Sequence, residues 1–212
     1  MNTSNATPGE YHYGSADAAH TSDYLWKPIL AACAQFGAKR VLDLGCGNGA
    51  FCRELAHAGF SAVGCDPSGE GIRIASESVP GATFKQLGVD DDPTLLGERG
   101  FDIVVSTEVV EHLAMPRHLP QFAKQVLRPG GLLIVSTPYH GYLKNLMLSL
   151  TDKWDDHLSP FWDGGHIKLW SRATLTRLLE EEGFRVTKFI GAGRFPWLWM
   201  SMILVAEKPS GD

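Results

Sequence analysis

Val41-Leu-Asp-Leu-Gly-Cys-Gly-Asn-Gly49 decides the reading of this 212-residue chain. An apolar run enters Asp43 and then meets a glycine at every second position, Gly45, Gly47 and Gly49. Lacking a Cβ, glycines take dihedrals closed to other residues and let a ligand lie against the backbone. The amphipathic stretch 51–58 follows at once. Together these predict strand, loop and helix at the edge of a parallel sheet, where open α/β folds take an adenosine-type cofactor.

Spacing narrows the cofactor. A dinucleotide fingerprint reads G-x-G-x-x-G, its third glycine serving helix–strand packing below a pyrophosphate. Here the pattern is G-x-G-x-G, and Asp43 stands two positions upstream, where it repels a pyrophosphate. The motif resembles that of class I S-adenosylmethionine methyltransferases. That cofactor has no phosphate, and its cationic sulfonium and ammonium groups suit an acidic strand end. The resemblance implies that Asp43, Gly45 and Gly47 hold its methionine part, with Gly49 a further cofactor contact.

Later segments arrive in a matching order. Ala62-Val-Gly-Cys-Asp66 reads as a short strand ending in a carboxylate, 21 residues after Gly45. At that distance the next parallel strand delivers an acid to ribose hydroxyls; the other reading of Asp66 is a turn aspartate before Pro67. Residues 83–87 read as a third strand, followed by Gly88-Val-Asp-Asp-Asp92. The resemblance places Val89 and Asp90 at the adenine, against the alternative of a solvated acidic loop. Residues 101–108 form an apolar run with a polar end, and a helix is expected from there to about Val126. A Pro129-Gly-Gly131 turn then leads into a buried strand, 132–137. Continuous apolar runs alternating with helices are what a parallel sheet covered on both faces requires.

Ser171 is the expected N-cap of a helix over 172–182, with Leu175, Leu178 and Leu179 on one face and Gly183 as its stop. The resemblance implies that strand 201–207 closes the sheet antiparallel to 185–191. The expected fold is α/β and Rossmann-like: a mostly parallel seven-stranded sheet with a C-terminal antiparallel hairpin and helices on both faces. It divides into an N-terminal lid and helix (1–36), a cofactor-binding core (38–138), an insertion (139–170) and a C-terminal helix and hairpin (171–208).

Composition agrees with one domain, which at this length buries roughly 70% of its unfolded surface. The net charge is −5, with 7 basic and 13 acidic residues up to position 106 and 12 and 11 beyond it. No basic stripe appears, which argues against a nucleic-acid partner. Cys33, Cys46, Cys52 and Cys65 lack the Cys-x-x-Cys spacing of zinc or redox sites and read as reduced thiols. The polar first thirty residues lack a signal-peptide core, so a cytoplasmic location is expected.

The acceptor side must come from outside this scaffold. Tyr11, Tyr13 and His20 precede a helix over 22–36 and resemble the cofactor lid of small-molecule methyltransferases, which makes Tyr13 a candidate cofactor contact. Residues 139–170 form an insertion of a length that is usually functional or structured. Within it Leu143, Leu146, Met147 and Leu150 share a helical face. Trp154, Phe161, Trp162 and Trp170 add aromatic surface. Such a cluster reads either as a lid packed on its own domain or as peripheral membrane contact through 139–165. Both favour an apolar or aromatic small-molecule acceptor.

Thr107-Glu-Val-Val-Glu-His-Leu113, the Ser-Thr-Pro exit of the fifth strand and Gly164-Gly-His-Ile-Lys168 resemble, more narrowly, the O-methyltransferases of ubiquinone biosynthesis. That resemblance implies O-methylation of a phenol- or quinone-like acceptor. It also implies a magnesium-type ion on Glu108, Glu111 and His112, whose i, i+3, i+4 spacing would align them at a helix start. Methyl transfer needs an aligned acceptor and a base for its hydroxyl. His166, after Gly164-Gly165, is the first candidate base and His140 the second. N-, C- or sugar O-methylation stays open, as does a non-catalytic cofactor-binding partner subunit.

Overall fold

A computed structural model of the chain describes residues 15, 17, 21–158, 160–161 and 165–211. Tyr11, Tyr13, His20, Trp162 and Gly164 lie outside the described residues. The elements are α1 (Ser22–Phe36), β1 (Arg40–Leu44), α2 (Ala50–His57), β2 (Ser61–Asp66), α3 (Gly69–Ser78), β3 (Ala82–Gln86) and a 3-10 turn (Pro93–Leu96). Then follow β4 (Phe101–Thr107), α4 (His118–Val126), β5 (Leu127–Pro138), α5 (Tyr142–Leu150), α6 (Trp154–Leu158), α7 (Arg172–Glu181), β6 (Arg185–Ala192) and β7 (Ser201–Glu207).

The strands form one sheet in the order β3-β2-β1-β4-β5-β7-β6. Strands β1 to β5 pair in parallel, and β7 inserts antiparallel between β5 and β6. Successive side chains of a strand point to opposite faces, so Val41, Ile103 and Ile134 pack with Leu25, Ile29 and Leu55 of α1 and α2. Leu42, Val104 and Leu133 pack with Phe122 of α4 and Leu175 of α7 on the other face. Asp43 follows the parity of Val41 and therefore meets α2. In α4, Leu119, Phe122, Ala123 and Val126 bury one stripe at i, i+3, i+4 and i+7. Strand order reverses between β1 and β4, and at such a switch point the carboxyl ends of the strands leave a crevice for a ligand.

Two segments depart from the sequence reading. The helix expected from residue 109 begins only at His118. Glu108 takes a left-handed conformation (φ 54°), and the Glu111 carbonyl accepts from Ile167 N–H (3.0 Å) and Lys168 N–H (3.1 Å) instead of from a helical neighbour. The Glu108, Glu111 and His112 triplet therefore lies on a turn, not along a helix. The insertion carries structure of its own, α5 and α6. The side chains of Leu143, Leu146, Met147 and Leu150 are exposed, Leu150 to 71%. Among the described residues no helix is long and apolar enough to cross a membrane.

Candidate active site

The cradle at the switch point is built by hydrogen bonds to β2. Gly45 and Cys46 N–H both donate to the Cys65 carbonyl, at 2.8 and 3.0 Å. Gly47 N–H donates to Asp66 Oδ2 and Ser68 N–H to Asp66 Oδ1, each at 2.9 Å. Ser68 in turn caps α3 by accepting from Gly71 N–H at 3.1 Å. Gly45 has φ 89°, and a Cβ there would lie 2.5 Å from Val109 Cγ2. The loop thus presses on the turn that follows β4, a contact open only to glycine. Gly49, with φ 77°, starts α2.

Asp43 is 1% exposed. Its Oδ2 accepts from the Cys52 thiol at 3.5 Å, and its Oδ1 has no hydrogen-bond partner among the described residues. Burial pushes the carboxyl up to about 7; the Cys52 contact opposes that shift and the charge of Asp66 adds to it. Pro67 follows Asp66 and its carbonyl accepts from Gln86 Nε2 at 3.0 Å. Val89 is buried in the core beside Leu87. The Asp90 side chain is exposed and sits 2.6 Å from His118 Nδ1.

Glu108 occupies the end of β4. Ser136 Oγ donates to its Oε1 at 2.8 Å and Ser201 Oγ to its Oε2 at 3.1 Å. Burial raises its carboxyl to about 7, against those two hydroxyls and the Lys144 ammonium, which favour the charged form. Tyr24 OH, 3.4 Å from Ser201 Oγ, extends the chain of hydroxyls to α1.

Beyond Glu108 the insertion folds back. Glu111 is 1% exposed, and neither carboxylate oxygen has a hydrogen-bond partner among the described residues. Burial, and then the charge of Glu108, hold it well above the usual carboxylate range. His112 sets Nδ1 3.2 Å from the Gly165 carbonyl. The rings of His112 and His166 meet edge-on, with centroids 5.0 Å apart. His140 is buried, with Nδ1 3.2 Å from Asn145 Oδ1 and Nε2 3.4 Å from His157 Nε2. The Trp154 ring stacks on His140 at 6.3 Å. Burial lowers His140 and His166 each to about 4, so both imidazoles are neutral near pH 7.

A methyltransferase-domain family model matches residues 18–188. The chain belongs to that family. The ubiquinone biosynthesis O-methyltransferase of Rhizobium etli is 37% identical over 118 residues, 50% of this chain and 48% of the relative. Its counterpart in Rhizobium rhizogenes is 40% identical over 100 residues, 46% and 40% of the two chains. This methyltransferase domain thus spans about half the length of the curated relatives it matches. In fold it is similar to a magnesium protoporphyrin IX methyltransferase from Synechocystis solved with bound S-adenosylhomocysteine. That match has TM-score 0.64 and 20% identity, and covers 86% of this chain and 81% of the other. It is similar also to a structure of the Haloferax volcanii Trm112 methyltransferase activator with a putative methyltransferase (TM-score 0.67, 21% identity, 89% and 91% covered). Its fold is the class I methyltransferase fold.

The methyltransferase domain brings Asp43, the glycine loop and Asp66 together. The triplet expected to hold an ion is divided: Glu108 turns to the serines, while Glu111 and His112 turn to His166. Four contributors escaped sequence reasoning. Ser136 and Ser201 orient Glu108 from β5 and β7, and His157 backs His140 from α6. Asn48 Nδ2 donates to the carbonyls of Ser15 and Asp17, both at 2.8 Å, tying the loop to the N-terminal segment. Only Asn48 had a local signal, as the one long polar side chain among the loop glycines.

Proposed function

We propose that the chain is an S-adenosylmethionine-dependent methyltransferase acting on a hydroxyl of a small, partly apolar acceptor of phenolic or quinone-like type. One observation carries the reading: two buried carboxylates, Asp43 and Asp66, flank a glycine loop at the switch point, and one Asp43 oxygen has no donor among the described residues. That environment repels a pyrophosphate and suits a cationic, phosphate-free cofactor. When bound, the cofactor supplies a methyl group on a positively charged sulfur.

The chain's own residues then divide the work. Gly45 and Gly47 offer backbone to the methionine part, Asp43 faces its charge, and Asp66 is placed for the ribose. Gly49 and Pro67 line the same loop and strand end, and Val89 and Asp90 stand where the third strand delivers contacts to the adenine. Glu108, fixed by Ser136 and Ser201, closes the cradle. His140 and His166 are the candidate acceptors of the hydroxyl proton; burial keeps both imidazoles neutral near pH 7 and weakens them as bases. The exposed apolar side chains of α5, Leu143, Leu146, Met147 and Leu150, favour an apolar acceptor. The similarity to the Rhizobium ubiquinone biosynthesis O-methyltransferases supports oxygen as the acceptor atom.

Methyl-labelled S-adenosylmethionine, incubated with the protein and a cell extract, tests this reading. Protein-dependent label in the organic fraction is the expected result, and it also fits docking of residues 139–165 at a membrane surface. Label confined to the aqueous fraction redirects the acceptor to sugars or other soluble metabolites. No protein-dependent label, with S-adenosylhomocysteine still binding, leaves a cofactor-binding partner subunit.

A further inference from the structure

The magnesium-type ion implied by the ubiquinone-family resemblance does not fit the donors that converge here. Its expected ligand Glu108 accepts a serine hydroxyl on each carboxylate oxygen and is not among the donors that converge. The groups that meet are Glu111, His112 and His166, each offering one ligand atom, all within 4.8 Å of one another. Magnesium takes oxygen ligands in near-ideal octahedra and keeps several waters. One carboxylate and two imidazoles instead suit first-row transition ions, as in the His₂-carboxylate sites of zinc.

We propose that Glu111, His112 and His166 form a binding centre for a divalent first-row transition ion of the zinc class, and not for magnesium. Three observations beyond proximity support it. Glu111 is 1% exposed and its oxygens make no well-formed hydrogen bond among the described residues; the Thr137 hydroxyl and its own backbone N–H are the neutral donors near it, and a buried carboxyl so thinly solvated calls for a cation or a proton. His112 points Nδ1 at the Gly165 carbonyl, the outer contact that fixes the ring of a metal-bound histidine and leaves Nε2 as its lone-pair atom. The segments that carry the donors are joined through backbone, because Ile167 and Lys168 N–H both donate to the Glu111 carbonyl.

Closure around an ion asks little. Donors within 4.8 Å need to reach about 3.4 Å, the edge of a tetrahedron with bonds of about 2.1 Å. Three protein ligands leave a coordination position open, as in catalytic zinc sites. An ion also takes the lone pair of His166. His140, with His157 Nε2 at 3.4 Å, then remains as the proton-accepting imidazole of the pocket.

The test uses the whole chain, stripped with a chelator and dialysed against zinc, cobalt or magnesium chloride. The centre predicts about one zinc or cobalt ion per chain at micromolar free ion or below, and no magnesium at the same concentrations. Bound cobalt should show the visible absorption of a four- or five-coordinate site. Glu111→Gln and His166→Asn should each lower zinc affinity at least about tenfold. Both variants should keep their affinity for S-adenosylhomocysteine, which verifies the fold and the cofactor site apart from the metal. Absence of stoichiometric zinc, zinc binding unchanged in both variants, or magnesium bound in preference to zinc overturns the proposal. Loss of S-adenosylhomocysteine binding in the unaltered chain would sink the cofactor reading alone, because the zinc measurement does not depend on it.

Discussion

The Cys52 thiol reaches only one oxygen of Asp43, Oδ2 at 3.5 Å, and leaves Oδ1 without a donor among the described residues. With burial holding this carboxyl at about 7, the free protein keeps its proton below that pH. A cationic cofactor favours the charged form and lowers the value in the complex. Binding should therefore release a proton near pH 6–7, and affinity should rise with pH up to about 7 and level off above it. Calorimetry in buffers of different ionisation heat measures both effects. Asp43→Asn should flatten the pH dependence and weaken binding.

Asp66 joins the loop to β2 through two backbone N–H groups. Asp66→Ala should weaken S-adenosylhomocysteine binding by about 1–3 kcal/mol, the scale of a hydrogen bond to a charged group. It should also lower the melting temperature of the free protein. Unchanged affinity by calorimetry would remove Asp66 from the site.

Gly45→Ala meets two obstacles, a left-handed φ of 89° and a Cβ 2.5 Å from Val109 Cγ2. The backbone part alone costs about 1–2 kcal/mol. Denaturant unfolding should show at least that loss, together with lost cofactor binding. Adding Val109→Ala relieves the clash but not the dihedral, so recovery of stability should be partial.

His140→Asn and His166→Ala should each reduce turnover by about 10²-fold or more, with little change in cofactor affinity. Only the His166 variant should also lose bound zinc. Equal loss of turnover and cofactor affinity in either would mark that histidine as a structural residue.

Ser171 and Thr174 form a reciprocal capping box at the start of α7: the Ser171 hydroxyl accepts from Thr174 N–H at 3.2 Å, and Thr174 Oγ1 accepts from Ser171 N–H at 3.0 Å. Ser171→Ala should destabilise the chain by about 1 kcal/mol. Cofactor affinity should not move, because the cap stands apart from the glycine loop.

The cofactor strand, its loop and the C-terminal helix were legible because their signals are local: glycine spacing, a capping serine, leucines at helical intervals. The turn at 109–117 was not. Its residues read as the start of a helix, but the acceptor at Glu111 is taken by Ile167 and Lys168, more than fifty residues away, and no local pattern reports that partner. The company of His112 was hidden for the same reason. The i, i+3, i+4 spacing pointed to Glu108, whereas the fold supplies His166 from across the insertion and hands Glu108 to Ser136 and Ser201 on two other strands. The apolar face of α5 was visible in sequence, and its exposure emerged only once the helix was seen to stand off the sheet.

His140 N–H donates to the Trp170 carbonyl at 3.1 Å, so the insertion leaves and re-enters the domain through neighbouring residues. The entropy of closing such a loop grows only slowly with its length. A segment pinned at both feet can be lengthened, shortened or exchanged while its anchors stay put. Under the proposed function the insertion is a replaceable cassette on a fixed cofactor frame, and grafting a foreign segment between those two residues tests for a new acceptor preference.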